Sequence, residues 1–182
     1  CMQYVKLQVG CLIIILYVIV TYVKAADRRH IPCNKLYDAL MVVTPWAVFF
    51  DGLTAWTVNH LDSVPGIVNR LAHLLFFVFM DLVIIITALY MYDQTIGLSK
   101  QNRKKNWLLL VPGVVSLVLI VAGIGQLKYL HGQTTNYSMG FSVYVCFGTL
   151  FFYYGIILYL LIARHRFLPK EKKLGTASII II

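Results

Sequence analysis

Two carboxylates stand inside long apolar stretches of this sequence, Asp51 and Asp81. An ionised carboxylate near the middle of a bilayer costs several kcal/mol on insertion scales, so each acid should face other helices, pair with a partner or stay protonated. Counted from the predicted helix ends, both lie roughly 14 Å below the same membrane face on neighbouring antiparallel helices. At this similar depth they can share a polar site with Thr54 and Trp56, but the sequence does not decide which way each acid faces. The alternative is a structural polar contact between the two helices.

Three histidines gather at that same predicted face: His60, His73 and His131. Histidine titrates at about pH 6.5, so such a rim is suited to sensing pH or to binding a small ligand. We expect these histidines and Tyr137, with Asp51 beneath them, to line a shallow cavity that opens outward between the second, third and fifth helices. The alternative is ordinary solvation at the interface. No HxxxH or HExxH spacing occurs, so no metal site is predicted.

The sequence carries no catalytic motif. Paired membrane carboxylates are typical of intramembrane aspartyl proteases, but the Gly-x-Gly-Asp signature of those enzymes is missing around both acids. A Walker loop, a Gly-x-Ser-x-Gly elbow, a dinucleotide fingerprint and a zinc-protease motif are also absent. The four cysteines show no CxxC pair. We predict no catalytic residue and no cofactor in this chain.

Composition identifies the solvent of this chain as lipid. Hydrophobic residues make up 60% of the 182 residues and charged residues only 13%, against roughly 25% charged residues in soluble domains. The net charge of +9 is typical of nucleic-acid binding when it forms a continuous patch. Here the charges form short clusters between apolar runs, as in loops at a membrane surface. A nucleic-acid partner is therefore not expected.

The fold class predicted is an all-α polytopic membrane bundle, with residues 1–182 forming a single transmembrane module. Each apolar run is about the 20 residues that an α-helix needs to cross ~30 Å of hydrocarbon. The predicted spans are 7–23, 39–59, 71–92, 106–127 and 141–163, with a sixth beginning at Leu174. Since the chain starts at Cys1 and stops inside an apolar run, we expect it to be a piece of a longer protein.

Two features inside the spans concern packing. Pro45 and Pro112 are expected to kink or break their helices. Ser142, Cys146 and Thr149 fall on one face of the fifth span. Small and hydroxylated side chains on one face allow a neighbouring helix to approach closely.

The basic residues predict the orientation. Thirteen of the 16 lysines and arginines fall in the segments 24–35, 100–105 and 164–173, which lie on one side of the predicted bundle. Lys6, Arg70 and Lys128 lie on the other side. Because cytoplasmic loops carry the excess of positive charge, the N-terminus is predicted outside the cytoplasm. A cleaved signal peptide in place of the first span would invert this pattern.

Three stretches of the sequence share features of hydropathy and spacing, not a catalytic signature. The stretches are Asn34-Lys35-Leu36-Tyr37-Asp38 leading to Trp46–Trp56 with Asp51-Gly52, then Asn69–Asp93 ending Leu89-Tyr90-Met91-Tyr92-Asp93, then Asn136-Tyr137-Ser138-Met139-Gly140 followed by Arg164-His165-Arg166 and Glu171-Lys172-Lys173. Their succession resembles the N-terminal membrane module of Firmicute-type GGDEF-domain diguanylate cyclases and of some histidine kinases. Neither a GG[DE]EF sequence nor a phospho-acceptor histidine helix is present.

The resemblance implies a seven-span signal-input module of the bacterial inner membrane that regulates a C-terminal cytoplasmic enzyme. A diguanylate cyclase, which makes cyclic di-GMP from GTP, is the first expectation, and a histidine kinase is the second. The expected partners are the lipid bilayer, the chain's own effector domain and a second copy in a homodimer. The competing interpretation is a transporter or channel subunit in which Asp51 and Asp81 handle a proton or a cation.

The predicted orientation can be tested by thiol labelling. Cysteine introduced by Ser138→Cys should react with a membrane-impermeant thiol reagent in intact cells, and cysteine introduced by Ser99→Cys should not, because only the first lies on the external side. The native cysteines are replaced by serine in both variants. Reversed labelling would invert the topology.

Overall fold

The computed structural model describes residues 5–29, 35–96 and 103–164, with side chains described for 5–24, 35–96 and 107–162. The helices are α1 (Lys6–Arg29), α2 (Lys35–Val58), α3 (Gly66–Thr95), α4 (Arg103–Gly123) and α5 (Phe141–Arg164). Between α4 and α5 lie a short 3-10 helix (Ile124–Gln126) and two strands, β1 (Lys128–Leu130) and β2 (Tyr137–Met139).

All five helices are long and apolar enough to cross a membrane. The five complete spans predicted from hydropathy are thereby confirmed as helices, with ends that differ by a few residues. The largest difference is in α3, whose 30 residues span roughly 45 Å. It begins directly after Pro65, whose backbone is extended at φ −56° and ψ 135°. The predicted sixth span at Leu174 lies outside the described residues.

Helix α3 is the centre of the bundle and packs against α2, α4 and α5. Its buried positions recur every three or four residues, so they form one continuous stripe along the helix. The stripe contains Asn69, His73, Phe77, Asp81, Ile85, Ala88 and Tyr92. Asn69, His73 and Asp81 belong to this stripe, which places three polar side chains of α3 inside the protein.

Helices α3, α4 and α5 approach closely around Gly113 of α4. A Cβ atom at this position would lie 2.5 Å from Cδ1 of Ile85 on α3 and 2.9 Å from the hydroxyl of Tyr153 on α5. Tyr153 is fully buried, and its hydroxyl donates to the Leu109 carbonyl at 2.7 Å. Helix α4 runs through Pro112 and α2 runs through Pro45 without interruption. The predicted break at either proline therefore does not occur.

The predicted small-residue face of α5 is confirmed as a packing surface. The Ser142 hydroxyl donates to the Ile120 carbonyl on α4 at 2.9 Å, and the Thr149 hydroxyl donates to the Ser116 hydroxyl at 2.7 Å. Ser142 and Cys146 are buried. Each hydroxyl thus has a partner on the facing helix or on its own, as an apolar environment requires.

Helix α1 is peripheral. None of its described side chains is buried, and those that are half-buried recur with alternating spacings of three and four residues. This 3.5-residue period is that of a single left-handed seam, here formed with α2. The seam consists of Val5, Gln8, Leu12, Ile15, Ile19 and Tyr22.

The two strands form a hairpin that covers one end of the bundle. They pair antiparallel, with Tyr129 opposite Ser138. The hairpin contacts the C-terminal end of α2 through β2, and the Tyr129 ring lies 5.5 Å from the His73 ring near the start of α3. We call this the hairpin end. The opposite end, where α2 begins at Lys35, α4 begins at Arg103 and α5 ends at Arg164, is called the basic end.

A side chain at Gly113 should destabilise the bundle. Gly113→Ala must displace the buried Ile85, so we expect a loss of about 1–3 kcal/mol in the free energy of unfolding. Gly148→Ala on α5 is the matched control, because a Cβ there has no neighbour within 4 Å. Thermal unfolding in detergent micelles measures both. Equal stability of the two variants would contradict the close packing.

Candidate functional site

A cavity lies between α1 and α2 near the hairpin end. Its volume is about 660 Å³, which is within the range of small-molecule sites. Eight of its ten lining residues are apolar or glycine, and the other two are Lys6 and Gln8. The wall is formed by Val5, Lys6, Gln8, Val9, Leu12, Val48, Phe49, Gly52, Leu53 and Trp56.

Asp51 lies beside this cavity and is tied to its wall. The Gln8 side-chain amide on α1 donates to Oδ2 of Asp51 at 3.1 Å. Gly52 allows this approach, because a Cβ there would lie 3.2 Å from Cγ1 of Val5 and 3.4 Å from Cβ of Gln8. The amide oxygen of Gln8 is buried and has no hydrogen-bond partner among the described residues. The cavity therefore has apolar walls and one polar edge with an unused acceptor.

Asp81 faces a different side of the bundle. It is fully buried on α3, and its neighbours include Ser116 of α4 and Cys146 and Tyr153 of α5. Asp51 instead faces α1. The two acids do not form the shared site that the sequence suggested, because they lie on opposite faces of the α2–α3 pair. This separation also removes the main argument for one proton or cation pathway through both.

The two acids also lie at different depths. A hydrogen bond of 2.9 Å from the Thr57 hydroxyl to Oδ1 of Asn69 aligns α2 with α3. From that level Asp51 lies six residues, or roughly 9 Å, along α2. Asp81 lies twelve residues, or roughly 18 Å, along α3. Counted along the two helices, Asp81 therefore lies farther from this contact than Asp51 does.

The structure brings Trp56, but not Thr54, to the cavity. Trp56 lines the wall and stacks on His60 with 5.0 Å between the ring centroids. Thr54 is buried, and its hydroxyl donates to the Asp51 backbone carbonyl at 2.8 Å. Of the site predicted around Asp51, the tryptophan remains a candidate for ligand contact.

The three histidines of the hairpin end have different surroundings and different hydrogen-bond partners. His73 is buried, with Nδ1 placed 2.8 Å from the Asn69 carbonyl oxygen. His60 pairs similarly with the Trp56 carbonyl oxygen at 2.8 Å. His131 is exposed on the hairpin and lies 3.0 Å from Oδ1 of Asn136. None of them lines the cavity between α1 and α2, and the described residues contain no cluster suited to a metal ion.

Asn136 holds the hairpin onto the bundle, a role that the sequence did not reveal. Its backbone N–H donates to Oδ1 of Asn59 at 3.0 Å, and its side-chain amide donates to the Val58 carbonyl at 3.0 Å. Tyr137 follows it in β2 and pairs with Leu130. The Tyr137 side chain is half exposed, so it stays available at the rim without a described polar partner in the bundle.

Tyr129 of β1 lies at the rim of the bundle, outside the spans. Burial raises the pKa of its phenol above the ordinary value, and the positive charge of Arg70 partly offsets this. Its hydroxyl is buried without a hydrogen-bond partner among the described residues. The packed, neutral ring next to His73 therefore contributes to a dry cover over the start of α3.

The five long apolar helices of the described residues fit a polytopic α-helical membrane protein. Comparison with protein-family models, with curated proteins and with solved structures found no match to this chain. Its function is therefore inferred from the sequence pattern and from the geometry described above.

Asn136→Ala should loosen the hairpin. The change removes the side-chain contacts to Val58 and His131 and leaves a buried carbonyl unpaired, at a cost of about 1–3 kcal/mol. Amide hydrogen exchange should accelerate in β1 and β2 while α3 stays protected. Gln133→Ala, in the exposed turn of the same hairpin, is the control. Unchanged exchange in Asn136→Ala would show that strand pairing alone holds the hairpin.

Proposed function

We propose that this chain is the signal-input region of a bacterial inner-membrane protein and that it regulates a C-terminal cytoplasmic enzyme, a diguanylate cyclase. In this proposal the N-terminus is extracytoplasmic, and a sixth span follows from Leu174. The distribution of basic residues supports the orientation. The resemblance of the three stretches described above supports the identity of the enzyme.

The observation that carries the sensing role is the cavity between α1 and α2. It lies between α2 and the peripheral helix α1, none of whose described side chains is buried. Its apolar walls suit the body of an amphiphilic ligand, and Gln8 and Lys6 offer a hydrogen-bond acceptor and a cation to its polar head. A ligand of this class can enter from the membrane without any separate receptor domain.

A ligand in this cavity signals only if it binds two packings of α1 with different affinity. The single seam between α1 and α2 offers two such states, seated and displaced. The close packing of α3, α4 and α5 around Gly113 provides a fixed frame against which α1 moves. The free energy of ligand binding then changes the position of one helix and leaves the rest of the bundle in place.

The far end of α1 connects this movement to the basic end. Tyr22 of α1 packs edge-on against Tyr37 of α2 at 4.8 Å between centroids, and its hydroxyl donates to Asp38 at 2.8 Å. Tyr37 in turn lies 5.9 Å from Tyr90 of α3. We call these three residues the tyrosine cluster. A shift of α1 at the cavity changes this cluster, which lies at the end nearest the proposed effector.

Filling the cavity tests the proposal in the full-length protein. Val48→Phe adds a ring to the cavity wall, so it should mimic an occupied site and change cyclic di-GMP production in membrane vesicles by a factor of about ten or more, equivalent to ~1.4 kcal/mol of population shift. Val42→Phe on the same helix is the control, since Val42 is 63% exposed and lies outside the cavity. It should behave as the wild type.

Two results would contradict the proposal. Equal output from both phenylalanine variants and the wild type would remove the cavity from signalling. A full-length protein that lacks nucleotide cyclase and kinase activity and instead moves a solute across vesicles would favour the transporter interpretation.

A further inference from the structure

Asp81 is the most enclosed acid of the described chain, and the sensing proposal does not use it. It lies at the middle of the 30-residue α3, and its side chain is completely inaccessible, at 0% exposure. Three helices surround it: its own α3, with α4 and α5 on the facing side. A water molecule or an ion reaches this acid only if these helices separate.

The carboxylate oxygens of Asp81 make no hydrogen bond that meets ordinary geometry with any described residue. The groups that face it are the Ser116 hydroxyl from α4 and the titratable Cys146 and Tyr153 from α5. Helix α2, on the other side of α3, has Asp51 as its intramembrane acid, and that acid faces α1. No described lysine, arginine or histidine forms an ion pair with Asp81.

A short chain of hydroxyl groups points toward the acid. The Thr149 hydroxyl lies 2.7 Å from the Ser116 hydroxyl and 2.9 Å from the Val145 carbonyl oxygen, and it has one proton to donate. If Thr149 donates to Ser116, the Ser116 proton is free for Asp81. If Thr149 donates to Val145, Ser116 donates to Thr149 and its oxygen can accept from a protonated Asp81. A protonated Asp81 has both a donor and an acceptor to exchange with Ser116. An ionised Asp81 would be a buried charge with no cation, which costs several kcal/mol in an apolar interior.

We infer that Asp81 is a proton-binding site at the middle of the bundle, and that the bound proton holds α3, α4 and α5 in the close packing seen here. A cation is the less suitable occupant, because the described residues contain no group of three or more His, Cys, Asp or Glu side chains around Asp81 and the Leu109 carbonyl already accepts from Tyr153. A hard cation needs several oxygen ligands. Loss of the proton creates a charge that must attract water, so the three helices separate.

Infrared spectroscopy of the full chain in lipid tests the protonation directly. The comparison uses Asp51→Asn alone and Asp51→Asn with Asp81→Asn, so that the two proteins differ only at the buried acid. At about pH 7 the single variant should show the C=O stretching band of a protonated carboxylic acid, although free aspartate has a pKa of about 3.9. The double variant should lack the band. A band that persists in the double variant, or is absent from the single variant, would overturn the assignment.

The coupling to packing is tested with Cys146 as a reporter. The other three cysteines are replaced by serine, and the labelling rate with N-ethylmaleimide is followed from about pH 6 to about pH 9. Cys146 is 6% exposed and close to Asp81. Between about pH 6 and about pH 9, the labelling rate of Cys146 should increase on the order of tenfold more in the protein with Asp81 than in Asp81→Asn. Direct repulsion from an ionised Asp81 would slow the thiolate reaction, so faster labelling requires opening.

Two controls accompany this experiment. A second neutral variant tests whether folding is affected, and a change of salt tests whether the occupant is a metal ion. Asp81→Ser provides a second neutral variant and should match Asp81→Asn if both fold. Replacing potassium with sodium at constant pH should leave the rates unchanged. Identical pH profiles with and without Asp81 would overturn the coupling, and protection of Cys146 by sodium would overturn the proton in favour of a cation.

Discussion

Every polar side chain inside the spans needs a partner within the protein, because hydrocarbon offers none. Most hydroxyl groups meet this need on their own helix: Thr44 and Thr87 donate to carbonyls four residues earlier. Others join helices, as Ser142 does with Ile120. The buried atoms without partners lie in a few places, among them Gln8 and Asp81. Our two functional proposals concern these two residues. A ligand or a proton that supplies a missing hydrogen bond gains the most binding free energy at an unsatisfied buried polar atom.

The helices could be predicted from the sequence, and the hairpin could not. A run of about 20 apolar residues is sufficient to indicate a span, since length and hydropathy alone decide it. The strands β1 and β2 have three residues each, which is too short for an alternating pattern to stand out from a polar loop. Their position depends on Asn136, whose contacts with Asn59 and Val58 join residues almost 80 positions apart in sequence.

The composition of the candidate sites could be predicted only in part. That Asp51 and Asp81 must face protein follows from the cost of burying charge, and the structure agrees. Which helix each acid faces depends on the rotation and register of neighbouring helices, which hydropathy does not determine. A helix rotates 100° per residue, so an error of two residues moves a side chain to the opposite face. The sequence therefore left the direction of each acid open, whereas the structure places Asp51 against α1 and Asp81 against α4 and α5.

The bundle thus combines a closely packed part, α3 to α5, with the peripheral helix α1, which packs on α2 through a single seam. A reversible lock between α1 and α2 tests most directly whether this helix controls the effector. Val5→Cys with Gly52→Cys is suited to it, because Cγ1 of Val5 lies 3.2 Å from where Cβ of residue 52 would be, within disulfide reach. With the native cysteines replaced by serine, cyclic di-GMP production, the activity proposed for the full-length protein, is measured in membrane vesicles before and after reduction. We predict that oxidation fixes the output at one level and that reduction restores the original level. Output that is the same with the lock closed and open would contradict control by α1.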